Sequence, residues 1–187
     1  MIHLHCTKKL LAKLPLYDDG RLRSHQSRPL VAIGDKANPL SGWHANLITL
    51  QRRQCVLFVH DATRFPVFVP ALKKPDFAEL DWHFQDGLMN TLLKAGADDK
   101  LMKAAEKHLA PLMCDNATDR SVQGTMNRMA QDIGHILDFE EGSVMDLSPY
   151  RTGVWLAERP SSIKGKDYIW PAREMLELLG AERKTHV

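Results

Sequence analysis

The sequence predicts an α+β fold, a small antiparallel sheet covered on one face by several helices. Two observations carry that prediction. The runs with strand composition come first and the segments with helical periodicity come after them. An order of strands then helices packs as a sheet with helices laid against it. The chain of 187 residues, 44% hydrophobic and 26% charged, is also large enough to bury one sizeable core.

The elements follow in order. "IHLHC" (2–6) alternates and is short, which suits a strand. "TKKLLAKL" then has helical spacing at Leu10, Leu11 and Leu14, with Thr7 as candidate N-cap and Pro15 as its stop. Residues 17–42 are rich in Asp, Gly, Ser, Pro and Arg without periodicity and read as a long loop. Strands are expected at 46–51, 54–60 and 65–69, joined as a three-stranded meander with "DATR" as the second hairpin turn. Val56 to Val59 are consecutive apolar residues, as in an interior strand. Pro66 lacks a backbone donor and places the third strand at an edge or a bulge.

Helices are expected near 76–95, 99–110 and 119–137. Phe77, Leu80, Phe84, Leu88 and Leu92 form the first apolar stripe, with Asp76 as candidate N-cap and Gly96 as C′ residue. Leu101, Ala105 and Leu109 line the second. Val122, Met126, Met129, Ile133 and Leu137 line the third. A short helix capped by Ser148 with Pro149 at its first position follows, then a last one from Pro171 to Leu179. The expected organisation is a core domain over 1–137 and a helical C-terminal extension over 138–187 packed on it.

No apolar run is long enough to span a bilayer, and the N-terminus does not read as a signal peptide. Cys6, Cys55 and Cys114 are odd in number and scattered, without a C-x-x-C, so a reduced, cytoplasmic protein is expected. Residues 1–64 carry ten Lys or Arg against four Asp, while the remainder carries fifteen basic against nineteen acidic residues. A basic first third suits phosphates or an acidic partner. A plain solvated surface suits it equally.

Several constellations bear on chemistry. In "WHAN", His44 and Asn46 share one face of a strand and Trp43 and Ala45 the other. An imidazole and a carboxamide together could serve as general acid/base and oxyanion donor. The plainer reading packs Trp43 in the core and hydrogen-bonds His44 to a neighbour. Arg52 and Arg53 fall at a strand turn, where an arginine fork suits phosphate or carboxylate. Arg120, Gly124, Asn127 and Gln131 lie opposite the stripe of the third helix. Gly124 there suggests close approach of a backbone or a ligand, and Arg120 in the first turn calls for a nearby anion. His3 and His5 share a strand face, yet no third metal ligand is identifiable by spacing, and no metal or cofactor is expected. The phosphate-loop, dinucleotide, G-x-S-x-G and H-E-x-x-H patterns do not occur.

"CTKKLL", "WHANLITLQRRQCVLFVHD", "KKPDF" and "DRSVQGTMNRM" together resemble an uncharacterised bacterial domain family, met alone or ahead of the plasmid open-reading-frame-three-like domain. The resemblance covers most of residues 1–137 and implies a fold unit and a candidate surface, with no established activity. The family pattern differs here in having an asparagine where this chain has His60. "LAERPSSIKGKDYIWPAREML" is similar to a tail found after the integrase-type core of some transposases, through Leu156, Arg159, Pro160, Lys164, Lys166, Pro171 and Glu174. The resulting expectation is a nucleic-acid-interacting accessory protein of a bacterial mobile-element or defence context. Lys8, Lys9, Arg52 and Arg53 would meet phosphates, Trp43 would offer a stacking surface, and Asn127 would join the ligand surface. The rival expectations are a small hydrolase or nuclease using His44 with Asn46 and Arg120, or a protein-interaction module.

Overall fold

The computed structural model describes residues 1–23, 38–139, 142–163 and 168–181. Part of the 17–42 loop, Lys164, Lys166 and the C-terminal "ERKTHV" lie outside the described residues. The elements are β1 (Ile2–Cys6), α1 (Lys8–Leu11), β2 (Trp43–Leu50), β3 (Arg53–His60), β4 (Pro66–Leu72), α2 (Leu80–Lys94), α3 (Asp99–His108), β5 (Leu112–Asp115), α4 (Arg120–Phe139), α5 (Pro149–Ala157) and α6 (Pro171–Ala181). A 3₁₀ segment, Lys74–Glu79, leads into α2.

The α+β class is as the sequence predicts, and so is the β2–β3–β4 meander. The sheet is mixed, however, not wholly antiparallel. Its order is β4-β3-β2-β1-β5, and β1 pairs in parallel with both β2 and β5. Pro66 opens the edge strand β4, where its missing donor costs no ladder bond. Gln51 and Arg52 both have positive φ, 45° and 64°, giving the left-handed pair that a two-residue β2–β3 hairpin requires.

β5 lies in the gap between the second and third expected helices, where no strand was expected. α3 ends at His108, because the residue before Pro111 is biased away from helical backbone and Pro111 has no N–H to give. Leu112 and Cys114 then turn into the core. On the far side of β5, Gly20 approaches so closely that a Cβ would meet Cys114 O at 2.5 Å, and Cys114 N–H donates to Gly20 O. The start of the expected loop is therefore an ordered strap along this strand.

Both faces of the sheet carry helices, where one was expected. On the first face, Trp43, Ala45, Val56, Phe58 and Val67 meet Phe84, Leu88 and Leu92 of α2, with Ala105, Met175 and Leu179 in the same core. On the second, Cys55, Leu57, Val59 and Phe68 meet the α4 stripe of Val122, Met126, Met129, Ile133 and Leu137. α5 plugs the β4 side, with Leu156 in one core and Ala157 in the other.

Caps anticipated from the sequence are present at α5, where Ser148 Oγ accepts from Arg151 N, and after α2. There Gly96 has φ +91°, its N–H donates to Leu93 O and that of Ala97 donates to Leu92 O, a Schellman end. Thr7 and Asp76 act differently. The Thr7 hydroxyl makes no cap bond, and Asp76 sits inside the 3₁₀ segment, accepting from Lys73 N. The three cysteines are buried and free. No helix among the described residues is long and apolar enough to cross a membrane.

Candidate functional site

The second face of the sheet is unevenly covered, because α4 lies over β3 and β2. On the β1–β5 side that face is polar. Lateral partners in a sheet share a face, so the register His5↔His44, His5↔Asp115 and His44↔Val59 sets two imidazoles and a carboxyl in one row. Two residues along the strands, alternation returns Asn46 and Thr7 to the same side, and Asp61 follows β3 on that side too.

His44 is buried, and both its ring nitrogens are occupied. Nδ1 lies 2.6 Å from Asp61 Oδ1, and Nε2 accepts the backbone N–H of Asp119 at 2.8 Å. A nitrogen that accepts a backbone N–H carries no proton, so Nδ1 holds it and donates it to Asp61. His44 thus pins the segment ahead of α4 to the sheet. Asn46 Oδ1 is taken by the Thr7 hydroxyl at 3.1 Å. As placed here, His44 acts as a tether, and Asn46 is held through its Oδ1.

His5 is arranged differently. Its Nδ1 lies 2.7 Å from Asp115 Oδ1, whereas Nε2 lies 3.8 Å from Asp61 Oδ2, beyond hydrogen-bond reach. Its ring centroid is 4.9 Å from that of His44, and its side chain keeps 20% exposure. Partial burial pushes the Asp115 carboxyl up, but hydrogen bonds from His5 and Ala117 N–H outweigh it and hold the group below the usual carboxylate range. Backbone N–H groups of Ser121 and Val122 likewise hold Asp119 low, as expected of a carboxylate capping a helix N-terminus.

Beneath the row, Arg64 is 3% exposed and adopts φ +59° in the hairpin turn. It donates from Nη1 to Asp61 O and from Nη2 to Ser121 Oγ at 3.1 Å, while its buried Nε meets no partner. On the opposite face His60 stacks on Trp43 at 4.9 Å, and burial pushes its pKa down to about 4. Its Nδ1 faces Thr63 Oγ1 at 2.9 Å.

The remaining candidates separate. Trp43 is fully buried between His60 and Phe84, and its Nε1 donates to Leu40 O at 2.7 Å, so it has no free face on which a base could stack. Arg52 and Arg53 are exposed at the hairpin tip, six residues along β2 from His44 and thus about 20 Å away. Lys8 and Lys9 are exposed immediately after Thr7, and Arg120 is exposed immediately after Asp119, so all three border the polar row. Asn127 is exposed two turns further along α4. A Cβ on Gly124 would meet nothing within 4 Å, so no backbone approaches it. His3 is exposed, and among the described residues no three His, Cys, Asp or Glu side chains converge as metal ligands. Of the transposase-like tail, Leu156 is a core residue and Pro171 opens α6.

Sequence reasoning weighed His3 and His5 only as a metal pair and missed Asp61, Asp115 and Arg64. The signal for Asp115 would have been a second short strand after Pro111, which four residues cannot announce.

A small α+β domain with an acid–base row on a half-covered sheet is the class these features define, and a fold of this kind does not by itself specify a reaction. The chain belongs to the family described as a domain of unknown function (DUF6933), whose model matches residues 3–174 and so runs through α5 into α6. No curated protein and no solved structure matches it.

Proposed function

We propose that the protein is an accessory factor that engages nucleic acid through the open, polar half of its sheet. The observation that supports this reading is the uneven covering of that face, which leaves His3 and His5 accessible with exposed Lys8, Lys9 and Arg120 at its border. The three carboxylates in the row are each engaged locally. Asp61 holds His44, Asp115 holds His5, and Asp119 caps α4. The bordering cations form no ion pair with these carboxylates, and it is they that would meet the phosphates of an incoming polyanion. A mobile-element or defence setting rests on the resemblances of the sequence alone. An acidic protein partner would use the same cations and is separated from nucleic acid by the measurement below.

Fluorescence anisotropy with single-stranded oligonucleotides at about 50 and about 200 mM salt tests the reading. Binding should weaken steeply with salt, and Lys8→Ala with Lys9→Ala and Arg120→Ala should reduce the logarithmic slope by about two, since each lost phosphate contact on a single strand removes roughly 0.7. Arg52→Ala with Arg53→Ala, at the far end of the sheet, should change little. No binding at low salt, or equal losses from both sets, would refute it.

A further inference from the structure

We infer that His5, oriented by Asp115, is a proton acceptor for cleavage of RNA at the polar row, an inference that rests on the nucleic-acid reading above. The geometry separates the two imidazoles of the row. His44 has no nitrogen to spare, since Asp61 and the Asp119 N–H take both. His5 has its Nδ1 proton held by Asp115 at 2.7 Å, which sets the tautomer and leaves the Nε2 lone pair without a hydrogen-bond partner on a side chain that keeps 20% exposure. This is the orienting logic by which a carboxylate holds a catalytic imidazole. A proton taken up at Nε2 would make an imidazolium between two carboxylates, with Asp61 Oδ2 at 3.8 Å from that nitrogen.

The substrate class follows from what the row lacks and what it borders. Among the described residues no hydroxyl or thiol is hydrogen-bonded to His5, whose one hydrogen-bond partner is Asp115, while Thr7 Oγ1 donates to Asn46 and Ser121 Oγ accepts from Arg64. A base without a protein nucleophile suits a substrate that brings its own hydroxyl next to the bond to be broken. Lys8, Lys9 and Arg120 suit a substrate that carries phosphates. RNA meets both conditions. In the step, Nε2 of His5 takes the proton from the ribose 2′-OH as O2′ attacks the adjacent phosphorus. A P–O2′ bond forms and the P–O5′ bond breaks, giving a 2′,3′-cyclic phosphate. The departing O5′ takes a proton from water, and the hydroxide left behind is neutralised when His5 releases its proton. His5 is the catalytic residue and Asp115 a positioning residue.

The test uses the full chain and a labelled single-stranded RNA, beside the same strand in DNA and an RNA with one 2′-deoxy substitution at the cleaved position. The expected result is cleavage of RNA to a cyclic-phosphate end, none of DNA, and none at the substituted position. His5→Ala, and His5→Gln as a second variant purified in parallel, should lose 10²- to 10⁴-fold in rate while still binding the oligonucleotide, with a thermal melt lowered by no more than the loss of one part-exposed hydrogen bond to Asp115 explains. Asp115→Asn should lower kcat and leave KM nearly unchanged. RNA bound but not cleaved would overturn this inference and leave the binding reading standing. No binding would remove both. Equal cleavage of DNA, or undiminished cleavage by either His5 variant, would overturn the assignment of nucleophile or base.

Discussion

Replacing His44 with Ala removes two hydrogen bonds at once, and their worth can be estimated from the geometry. The Nδ1–H to Asp61 bond, at 2.6 Å, has an ionised acceptor, and such bonds contribute about 1.5–3 kcal/mol net. The bond from Asp119 N–H to Nε2, at 2.8 Å, is of neutral type and contributes about 0.5–1.5 kcal/mol. The Asp61 side chain is 31% exposed and can be rehydrated once its partner has gone, which lowers the first figure toward its minimum. A loss of about 2–3 kcal/mol is therefore expected, or roughly 5–10 °C in Tm for a domain of this size. Urea titration should show a lower midpoint at unchanged slope, because the surface exposed on unfolding is nearly the same. In a double-mutant cycle with Asp61→Asn, the coupling between the two positions should account for at least 1 kcal/mol. A loss below about 0.5 kcal/mol would refute the argument that His44 is a tether and would return it to the list of groups free to move protons.

His60 predicts a pH dependence of stability. Its pKa is about 4 in the fold, against about 6.5 when unfolded, so the unfolded chain binds the proton first and stability falls as pH drops through that window. The total is about 3 kcal/mol by pH 4, read as a sloping urea midpoint that flattens in His60→Asn; a wild-type midpoint constant from pH 7 to pH 4.5 would count against it. Two glycines should respond in opposite directions. A Cβ at Gly87 would stand 2.6 Å from Val67 Cγ1, where α2 crosses β4, so Gly87→Ala should cost about 1–3 kcal/mol. A Cβ at Gly124 meets nothing, so Gly124→Ala should stabilise α4 by up to about 1 kcal/mol. Thermal melts of the two variants shifting in the same direction would contradict the packing described.

The sequence alone determined whatever depends on neighbours in the chain. The β2–β3–β4 meander is legible because alternation and apolar runs repeat within eight residues. The α2 and α4 stripes are legible because helical periodicity is local, and so are the Ser148 cap and the Gly96 terminus. Strand alternation also told correctly that Trp43 and His44 face opposite ways. It could not tell that both sides would be covered at that point, Trp43 by α2 and His44 by the segment ahead of α4, because coverage is settled by elements forty and seventy-five residues away. The tertiary structure alone decided that β1 runs parallel to two partners, since its pairing with β5 joins residues 110 apart and four residues of strand carry too little pattern to announce it. That same pairing brings Asp115 to His5 and separates one imidazole from the other. The residue types for proton chemistry were visible in the sequence, but which nitrogen is open depends on long-range register, and only the folded sheet fixes that.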